Sequence, residues 1–165
     1  MNKEVNYWIE KLQLLPHPEG GFYREIYRSD ILLDEKVLTD FNGKRNISTS
    51  IYYLLKKDDF SAFHRIKSDE IWHFYSGNDL VLHILHPNGD YNLKVIGNKP
   101  FTNSEPFLVV PKGCWFAAKP LGDFALVGCT VAPGFAFDDF ELADRNKLIG
   151  LFPDKSLLIE TFTRD

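Results

Sequence analysis

The stretch SAFHRIKSDEIWHFYSG, residues 61–77, contains two apolar runs on either side of the polar turn 67–69. Both runs are rich in aromatic and β-branched residues, which favour β-strands. His64 lies in the first predicted strand, and Glu70 opens the second. If both strands line one barrel, an imidazole and a carboxylate meet in its interior. Such a pair suits a metal site, or a general base with an orienting partner.

The second predicted strand places successive side chains on opposite faces, as every strand does. Glu70, Trp72 and Phe74 therefore share one face, and His73 lies on the other. We expect His73 to point away from the site that His64 and Glu70 form.

Outward from this stretch, short runs rich in Ile, Val, Phe and Tyr follow one another at intervals of about 8 to 12 residues. Aromatic residues make up 15% of the chain, and turns such as Pro87-Asn88-Gly89-Asp90 separate the runs. This spacing predicts an all-β sandwich or barrel. The predicted strands are 22–28, 47–55, 61–66, 70–75, 80–86, 91–96, 107–110, 114–118 and 124–131.

Helices are predicted near both ends of the chain. Apolar residues recur at three- and four-residue spacings from Val5 to Leu15, before a proline ends the helix. A short helix is predicted to start at Asp138 and Asp139, whose charges suit a first turn. A last helix, capped by Asp154, is predicted from Lys155 to Phe162.

Composition narrows the class of protein. The chain of 165 residues has the length of one ordinary domain, and we expect a single domain over residues 1–165. Its net charge is -4 and its basic residues are scattered, which argues against nucleic acid as a partner. The sequence shows neither a signal-peptide pattern nor a membrane-spanning apolar run, so we expect a cytoplasmic protein with no membrane partner. Cys114 and Cys129 are predicted to be core residues, because their spacing fits neither a zinc site nor a disulfide framework.

Two stretches resemble the two sequence motifs of the cupins. His64, Ile66, Glu70 and Gly77 are similar to the first motif, G-x5-H-x-H-x3-4-E-x6-G. Residues 111–116, PKGCWF, resemble the second motif, G-x5-P-x-G-x2-H-x3-N.

Four longer segments resemble a little-studied cupin subfamily of unknown function, the one numbered five. These segments are HPEGGFYREIYRS, SDEIWHFYSG, VPKGCWFAA and LVGCTVAPGF. The resemblance implies a cupin double-stranded β-helix, or jelly-roll barrel, with a ligand pocket in the barrel mouth. Together with the helical patterns it predicts an all-β cupin with an N-terminal helix and short C-terminal helices. It also implies a homodimer.

The resemblance has consequences for metal binding. Metal-binding cupins take two histidines and a glutamate from the first motif and one histidine from the second. Ile66 and Phe116 stand at two of these four positions, which leaves only His64 and Glu70. A tight transition-metal site normally needs at least three protein ligands. We therefore expect no metal ion and no other cofactor.

Metal-free cupins that resemble the epimerases of nucleotide-linked keto-sugars use a barrel histidine as a base. The resemblance implies that His64 removes a proton next to a carbonyl group, and that Glu70 fixes the tautomer of His64. The sequence does not identify the acid, for which Tyr23, Tyr52 and Tyr53 are candidates.

Further candidate ligand contacts are aromatic residues of the motif strands and residues near the loop His-Pro-Glu-Gly-Gly. Two adjacent glycines permit close approach of the backbone to a ligand. The alternative for each candidate is a structural role: a buried polar pair that fixes a hairpin, or an aromatic residue of the core. The predicted ligand contacts are Glu19, Arg24, Tyr53, Trp72, Phe74 and Phe116.

Taken together, the sequence predicts a homodimeric cupin that binds a small polar organic molecule in its barrel. Its expected activity, if it has one, is isomerase- or epimerase-like and acts on a sugar-related substrate. Two alternatives stay open: a metal-dependent oxygenase or lyase, and a non-catalytic protein with a vestigial pocket.

Overall fold

The computed structural model describes residues 3–34, 36–100 and 102–164. The described chain is mostly β, as the alternating apolar pattern predicts. The strands are β1 (Leu15–Pro16), β2 (Phe22–Arg28), β3 (Leu32–Leu33), β4 (Arg45–Asn46), β5 (Thr49–Lys56), β6 (Ser61–Ile66), β7 (Asp69–Gly77), β8 (Leu80–Leu85), β9 (Tyr91–Ile96), β10 (Phe107–Val110), β11 (Trp115–Pro120), β12 (Phe124–Ala132) and β13 (Phe140–Leu142).

Helices lie near both ends, as predicted. They are α1 (Lys3–Leu12), α2 (Arg145–Leu151) and α3 (Ser156–Thr161), with short 3-10 helices at Phe137–Asp139 and Pro153–Lys155. Among the described residues, no helix has both the length and the apolar character that crossing a membrane requires.

Two antiparallel sheets form the barrel. The larger has six strands in the order β1-β2-β5-β12-β7-β10, and the smaller has five in the order β13-β6-β11-β8-β9. Strands β3 and β4 pair separately. Strands β6 and β7, which follow each other in sequence, therefore belong to opposite sheets, so His64 and Glu70 approach the interior from two sides.

The apolar residues between the two sheets form the main core, with Trp72 and Phe116 at 0% and 1% exposure. A second cluster, including Phe63 and Leu148, packs the C-terminal helices against the smaller sheet. A third buries Val5 of α1 against the larger sheet. Each fully buried side chain of this size contributes about 1.5–3 kcal/mol, which is why the helices stay attached to the barrel.

The predicted first helix is too long at its C-terminal end. The observed helix α1 ends at Leu12. Gln13 has a positive φ of 53°, and an α-helix cannot continue through such a residue. Leu15 and Pro16 then pair with β2 as strand β1.

The helix predicted to start at Asp138 and Asp139 is wrong. The acidic pair instead belongs to the 3-10 turn, and the chain continues as strand β13, which pairs Phe140 with Ile66 of β6. Pairing satisfies the backbone groups along the open edge of β6, and this outweighs the local helical signal. The helix begins later, at Arg145, where the Asp144 side chain accepts a hydrogen bond from the backbone of Lys147 at 2.9 Å.

The predicted cap of the last helix is also wrong. Helix α3 begins at Ser156, and no side chain caps its N-terminus. Asp154 instead accepts a hydrogen bond from Lys155 Nζ at 2.6 Å.

Candidate functional site

A cavity of ≈ 160 Å³ is lined by both sheets and by two loops. Its wall combines a polar side with an apolar side. The polar side chains that matter for the chemistry are His17, Glu19, His64, Glu70 and Cys129. The apolar wall includes Ile66 and three phenylalanines, at 135, 137 and 140.

His64, on β6, lies at the centre of the polar side and is almost fully buried. Its Nδ1 lies 2.7 Å from the backbone carbonyl oxygen of Ala62. Because a carbonyl oxygen only accepts, Nδ1 carries the ring proton and donates it. The neutral ring is therefore fixed in one tautomer, with a bare Nε2. That Nε2 lies 3.1 Å from Oε2 of Glu19.

Glu19 reaches His64 from the loop between β1 and β2. Its Oε1 accepts a hydrogen bond from Ser61 Oγ at 3.0 Å. Its backbone NH donates to Nδ1 of His17 at 3.3 Å, and that Nδ1 also lies 3.7 Å from Glu19 Oε2. His64 thus has Glu19 as its carboxyl partner and Ala62 as the group that fixes its tautomer. The sequence interpretation gave both roles to Glu70.

The backbone of this loop can adopt its shape only because of its glycines. Gly20 and Gly21 have φ values of +115° and +71°, and a Cβ at Gly20 would lie 2.1 Å from the Phe60 carbonyl oxygen. The Tyr53 hydroxyl donates to the Gly20 carbonyl at 2.8 Å, and Asp59 accepts from the Gly21 NH at 2.8 Å. These contacts hold the loop against the barrel.

Arg164, near the C-terminus, also holds the loop. Its Nη2 donates to Asp59 Oδ1 at 2.7 Å and to the Phe60 carbonyl at 2.8 Å. Its Nε donates to the Glu19 carbonyl at 3.4 Å. The C-terminal segment therefore contacts the residue that pairs with His64.

Burial inverts the usual order of the pKa values of histidine and glutamate in the cavity. Desolvation lowers the pKa of His64 to about 4, although the hydrogen bond to Ala62 opposes it. Desolvation, with the charge of Glu19 as a second cause, raises the pKa of Glu70 to about 8. Burial also raises the pKa of Glu19. At neutral pH the imidazole is therefore neutral and Glu70 is mostly protonated. Because the Nε2 of a neutral ring with its proton on Nδ1 can only accept, the 3.1 Å contact is a hydrogen bond when Oε2 of Glu19 carries a proton.

Cys129, on β12, lines the cavity together with Glu70. Burial, with the Glu70 charge as a second cause, raises the pKa of the Cys129 thiol well above its ordinary value. A thiol in this state is a poor nucleophile, because the thiolate is the reactive form.

Two aromatic rings lie against His64: Phe140, which lines the cavity, and Phe116, which lies in the core behind it. The Phe116 ring centroid is 4.1 Å from that of His64, and the Phe140 centroid is 5.4 Å away. Phe137 is 56% exposed, so it marks the outer part of the aromatic wall. Phe116, which takes the position of a metal-binding histidine in the second motif, packs on the imidazole.

The other predicted contacts lie outside the cavity wall. Trp72, Tyr53 and Phe74 pack in the core between the sheets. Arg24 is exposed and donates to the Leu12 carbonyl at 3.1 Å, which ties β2 to α1. Of the six predicted ligand contacts, Glu19 is the one among the lining residues.

The three tyrosines that were candidates for the acid lie in three different environments. Tyr23 lines the cavity, whereas Tyr53 points to the loop backbone and Tyr52 packs against Tyr75 at 5.9 Å. The sequence interpretation also missed His17 and Cys129. His17 could have been found, since it opens the loop that carries Glu19. No local signal distinguished Cys129 from an ordinary core residue.

The donor set does not fit a metal ion. Within residues 3–34, 36–100 and 102–164, no group of three or more His, Cys, Asp or Glu side chains is arranged to hold one. Ile66 contributes only apolar surface to the cavity, and the ring of Phe116 covers one side of His64. Both nitrogens of His64 are already engaged.

A two-sheet antiparallel barrel with a cavity lined by both sheets is the fold of the cupin class. The sequence profile described as Cupin superfamily (DUF985) matches residues 6–143. The chain belongs to this family.

Solved structures of similar sequence share the whole fold. Protein SO0799 from Shewanella oneidensis is 36% identical, with a TM-score of 0.88 over 99% of both chains. A hypothetical protein from Leishmania major is 30% identical, with a TM-score of 0.88 over 97% of this chain and 98% of the other. One relative was found by sequence: the uncharacterized protein YML079W of Saccharomyces cerevisiae. It is 31% identical over 147 residues, which are 82% of this chain and 71% of that protein.

Oxalate decarboxylase from Bacillus subtilis is a more distant neighbour. It is 14% identical, with a TM-score of 0.56 over 89% of this chain and 36% of its own. At this identity the likeness concerns the fold alone, because one barrel supports many chemistries.

Proposed function

We propose that the cavity binds a small polar organic molecule and that His64 exchanges a proton with it, in an isomerase- or epimerase-like reaction of a sugar-related carbonyl compound. The observation that supports this is the orientation of His64. Ala62 fixes its tautomer, so that the bare Nε2 is presented beside Glu19 in the cavity wall. A catalytic base requires this combination of an unprotonated nitrogen and a fixed ring.

Glu70 supplies the group that the sequence did not identify. It lines the same cavity from the opposite sheet, and its pKa of about 8 leaves it mostly protonated at neutral pH. Groups whose pKa values are pushed apart in one cavity are natural acid and base partners. In the proposed step, the proton on the carbon next to the carbonyl passes to His64 Nε2. The C–H electron pair forms a carbon–carbon double bond, and Glu70 delivers its proton to the carbonyl oxygen.

Glu19 has to give way at Nε2 before this step. Its own proton occupies the contact with His64 in the resting site, so the ligand must replace it there. Ser61 Oγ already donates to Oε1 at 3.0 Å, and the Glu19 carboxyl group would keep this partner. The imidazolium and the Glu70 carboxylate that develop lie in one cavity and offset each other.

The size of the cavity limits the reacting group. Its ≈ 160 Å³ is below the range of about 300–1,000 Å³ that is usual for ligand pockets, and holds roughly five waters at about 30 Å³ each. A small carbonyl compound, or one end of a larger molecule, fits this volume. The rest of a larger ligand would lie outside, near the exposed ring of Phe137.

Solvent exchange tests the proton transfer. The protein is incubated in deuterium oxide with small aldoses and ketoses, and NMR follows deuterium at the carbon next to the carbonyl. The wild-type protein should catalyse exchange, and His64→Gln should reduce the rate by about 10²–10⁴. His73→Gln is the matched control, because His73 lies outside the cavity and contacts Phe107 and Thr130 instead.

Thermal shift separates binding from catalysis. A ligand at 100 times its dissociation constant should stabilise the protein by ~2.7 kcal/mol. Stabilisation without exchange would remove the proton-transfer step and leave ligand binding. No stabilisation across a broad metabolite library would favour a vestigial pocket.

We also propose that the protein is a cytoplasmic homodimer, as its resemblance to cupins implies. Tyr75, Phe107 and Val109 support a self-contact, because they are 47%, 49% and 40% exposed on neighbouring strands β7 and β10. A second copy covering this face would bury them. Light scattering at micromolar concentration should give the mass of a dimer, and a monomer would contradict the proposal.

A further inference from the structure

One side chain of the described cavity wall, that of Arg28, has a permanent positive charge, and all its donors already have protein partners. Arg28 ends β2 and lines the cavity. Its Nε and Nη2 donate to the two carboxylate oxygens of Glu25 at 2.9 and 2.7 Å. Its Nη1 donates to Asn46 Oδ1 at 2.8 Å and to the Phe135 carbonyl at 3.2 Å. Every guanidinium nitrogen therefore has a protein partner.

The remaining ionisable groups of the polar side offer no compensating charge. Burial lowers the pKa of His17 and His64 and raises the pKa of Glu19 and Glu70. At neutral pH the interior therefore has many hydrogen-bonding groups but no net cation. A hydroxyl or carbonyl group can exchange its water contacts for these groups. An anion would give up water contacts without gaining a free cation in exchange, which is less favourable.

We propose that Glu25, by occupying Arg28, makes the cavity selective for uncharged ligands, so that the part of the ligand that enters it carries hydroxyl and carbonyl groups without phosphate or carboxylate. This inference rests on the proposed function, because it names the class of molecule that the same cavity takes. Glu25 acts as a positioning residue: it uses the two parallel donors with which a guanidinium would otherwise bind an anion.

The Glu25–Arg28 pair can be broken without endangering the fold. Its side chains are 41% and 40% exposed, and such surface pairs contribute about 0–1 kcal/mol. Glu25→Gln removes the negative charge and one of the two acceptor oxygens, which frees one donor of Arg28 at the cavity. Glu141→Gln is the matched control, because it frees Arg65 from a similarly exposed pair, with side chains 43% and 55% exposed. Arg65 is not among the residues that line the cavity.

The experiment compares matched ligands at pH 7.5 by calorimetry. The probes are dihydroxyacetone against dihydroxyacetone phosphate, glyceraldehyde against glyceraldehyde 3-phosphate, and inorganic phosphate alone. The wild-type protein should prefer the uncharged member of each pair by roughly tenfold or more. Glu25→Gln should gain affinity for the anionic probes by about tenfold, the equivalent of one charge-assisted contact of about 1.4 kcal/mol. Glu141→Gln should resemble the wild type.

The outcomes separate this inference from the proposed function. If the wild-type protein binds the anionic members as tightly as the uncharged ones, the selectivity is absent while ligand binding stands. If no sugar probe binds, the proposed function fails. The phosphate arm still decides the selectivity, because it needs no knowledge of the natural ligand. Equal phosphate affinity in the wild type and Glu25→Gln would overturn the role of Glu25.

Discussion

Two buried clusters of ionisable side chains differ in this protein: one forms an ion pair, and the other contains no cation. In the first, Asp139 accepts hydrogen bonds from Nε and Nη2 of Arg45, and Arg45 Nη1 donates to the carbonyls of Lys44 and Asn42 at 2.9 and 3.0 Å. In the second, Nε2 of His64 lies 3.1 Å from Oε2 of Glu19 beside the cavity, and Glu70 lines the same wall.

The two clusters differ in whether a proton can be transferred to a ligand. The Arg45–Asp139 cluster is ionic, and the charge on each side is compensated by the other. The His64 cluster has no buried cation among the described residues, and burial shifts the pKa values of His64 and Glu70 towards their neutral forms. A compensated pair fixes structure, whereas a neutral cluster with shifted pKa values keeps protons available for a ligand.

Breaking the first cluster should have the largest effect. Asp139→Asn leaves the Arg45 charge buried at 7% side-chain exposure without its partner. The free energy of unfolding should fall by about 3–5 kcal/mol, as measured by urea denaturation. Glu141→Gln, in an exposed pair, should lower it by only about 0–1 kcal/mol. Equal losses in both variants would show that the Arg45 cluster is not a distinct structural element.

The second cluster should show itself in the pH dependence of stability. The pKa of Glu70 is about 8 in the folded state, against an ordinary value of 4.5. Between these values the folded protein holds a proton that the unfolded chain releases, so stability falls as pH rises. His64 has the opposite slope, but only between pH 4 and its ordinary pKa of 6.5. The net loss should therefore appear above pH 6.5.

From pH 6.5 to 8, the contribution of Glu70 should lower the free energy of unfolding by about 2 kcal/mol. Glu70→Gln should remove this part of the slope and be more stable than the wild type at pH 8. Urea denaturation at the two pH values measures it. Glu160→Gln, at an exposed position of α3, should leave the slope unchanged. A wild-type protein with no loss above pH 6.5 would mean that Glu70 ionises normally.

Strand positions could be predicted well because the signal is local. Strands β2, β6, β9 and β10 have the bounds that their apolar runs and turns predict. The prediction failed at residues 138–143, where acidic residues suit a helix but the edge of β6 offers pairing. That competition depends on a strand more than seventy residues away, so no local pattern contains it.

The site was predicted in part for the same reason. His64 and Glu19 each have a recognisable sequence context, the first motif and the glycine loop. Their contact depends on how the chain closes the barrel, so the sequence paired His64 with the nearer Glu70. The Ala62 carbonyl, which fixes the tautomer, is a backbone group that no residue pattern specifies. The single-domain organisation and the homodimer stay predictions.

The smallest expected effect concerns how Glu19 is held beside His64. Arg164→Ala removes the contacts to the Glu19 and Phe60 carbonyls. Because the Arg164 side chain is 43% exposed, the free energy of unfolding should fall by only about 1 kcal/mol. The ¹⁵N signal of His64 Nε2 should nevertheless move towards that of an unbonded imidazole, because Glu19 is no longer fixed 3.1 Å away.

Lys155→Ala is the matched control for this variant. Lys155 also pairs with an aspartate, Asp154, and its Nζ lies 5.4 Å from the Tyr91 ring centroid, as Arg164 lies 4.3 Å from that of Phe60. Its loss should lower stability by a similar amount and leave the His64 signal unchanged. An unchanged signal in Arg164→Ala as well would mean that Tyr53 and Asp59 alone hold the loop. A shift confined to Arg164→Ala would make the His64 cluster dependent on the C-terminal segment, whereas the Arg45–Asp139 cluster has no contact of this kind among the described residues.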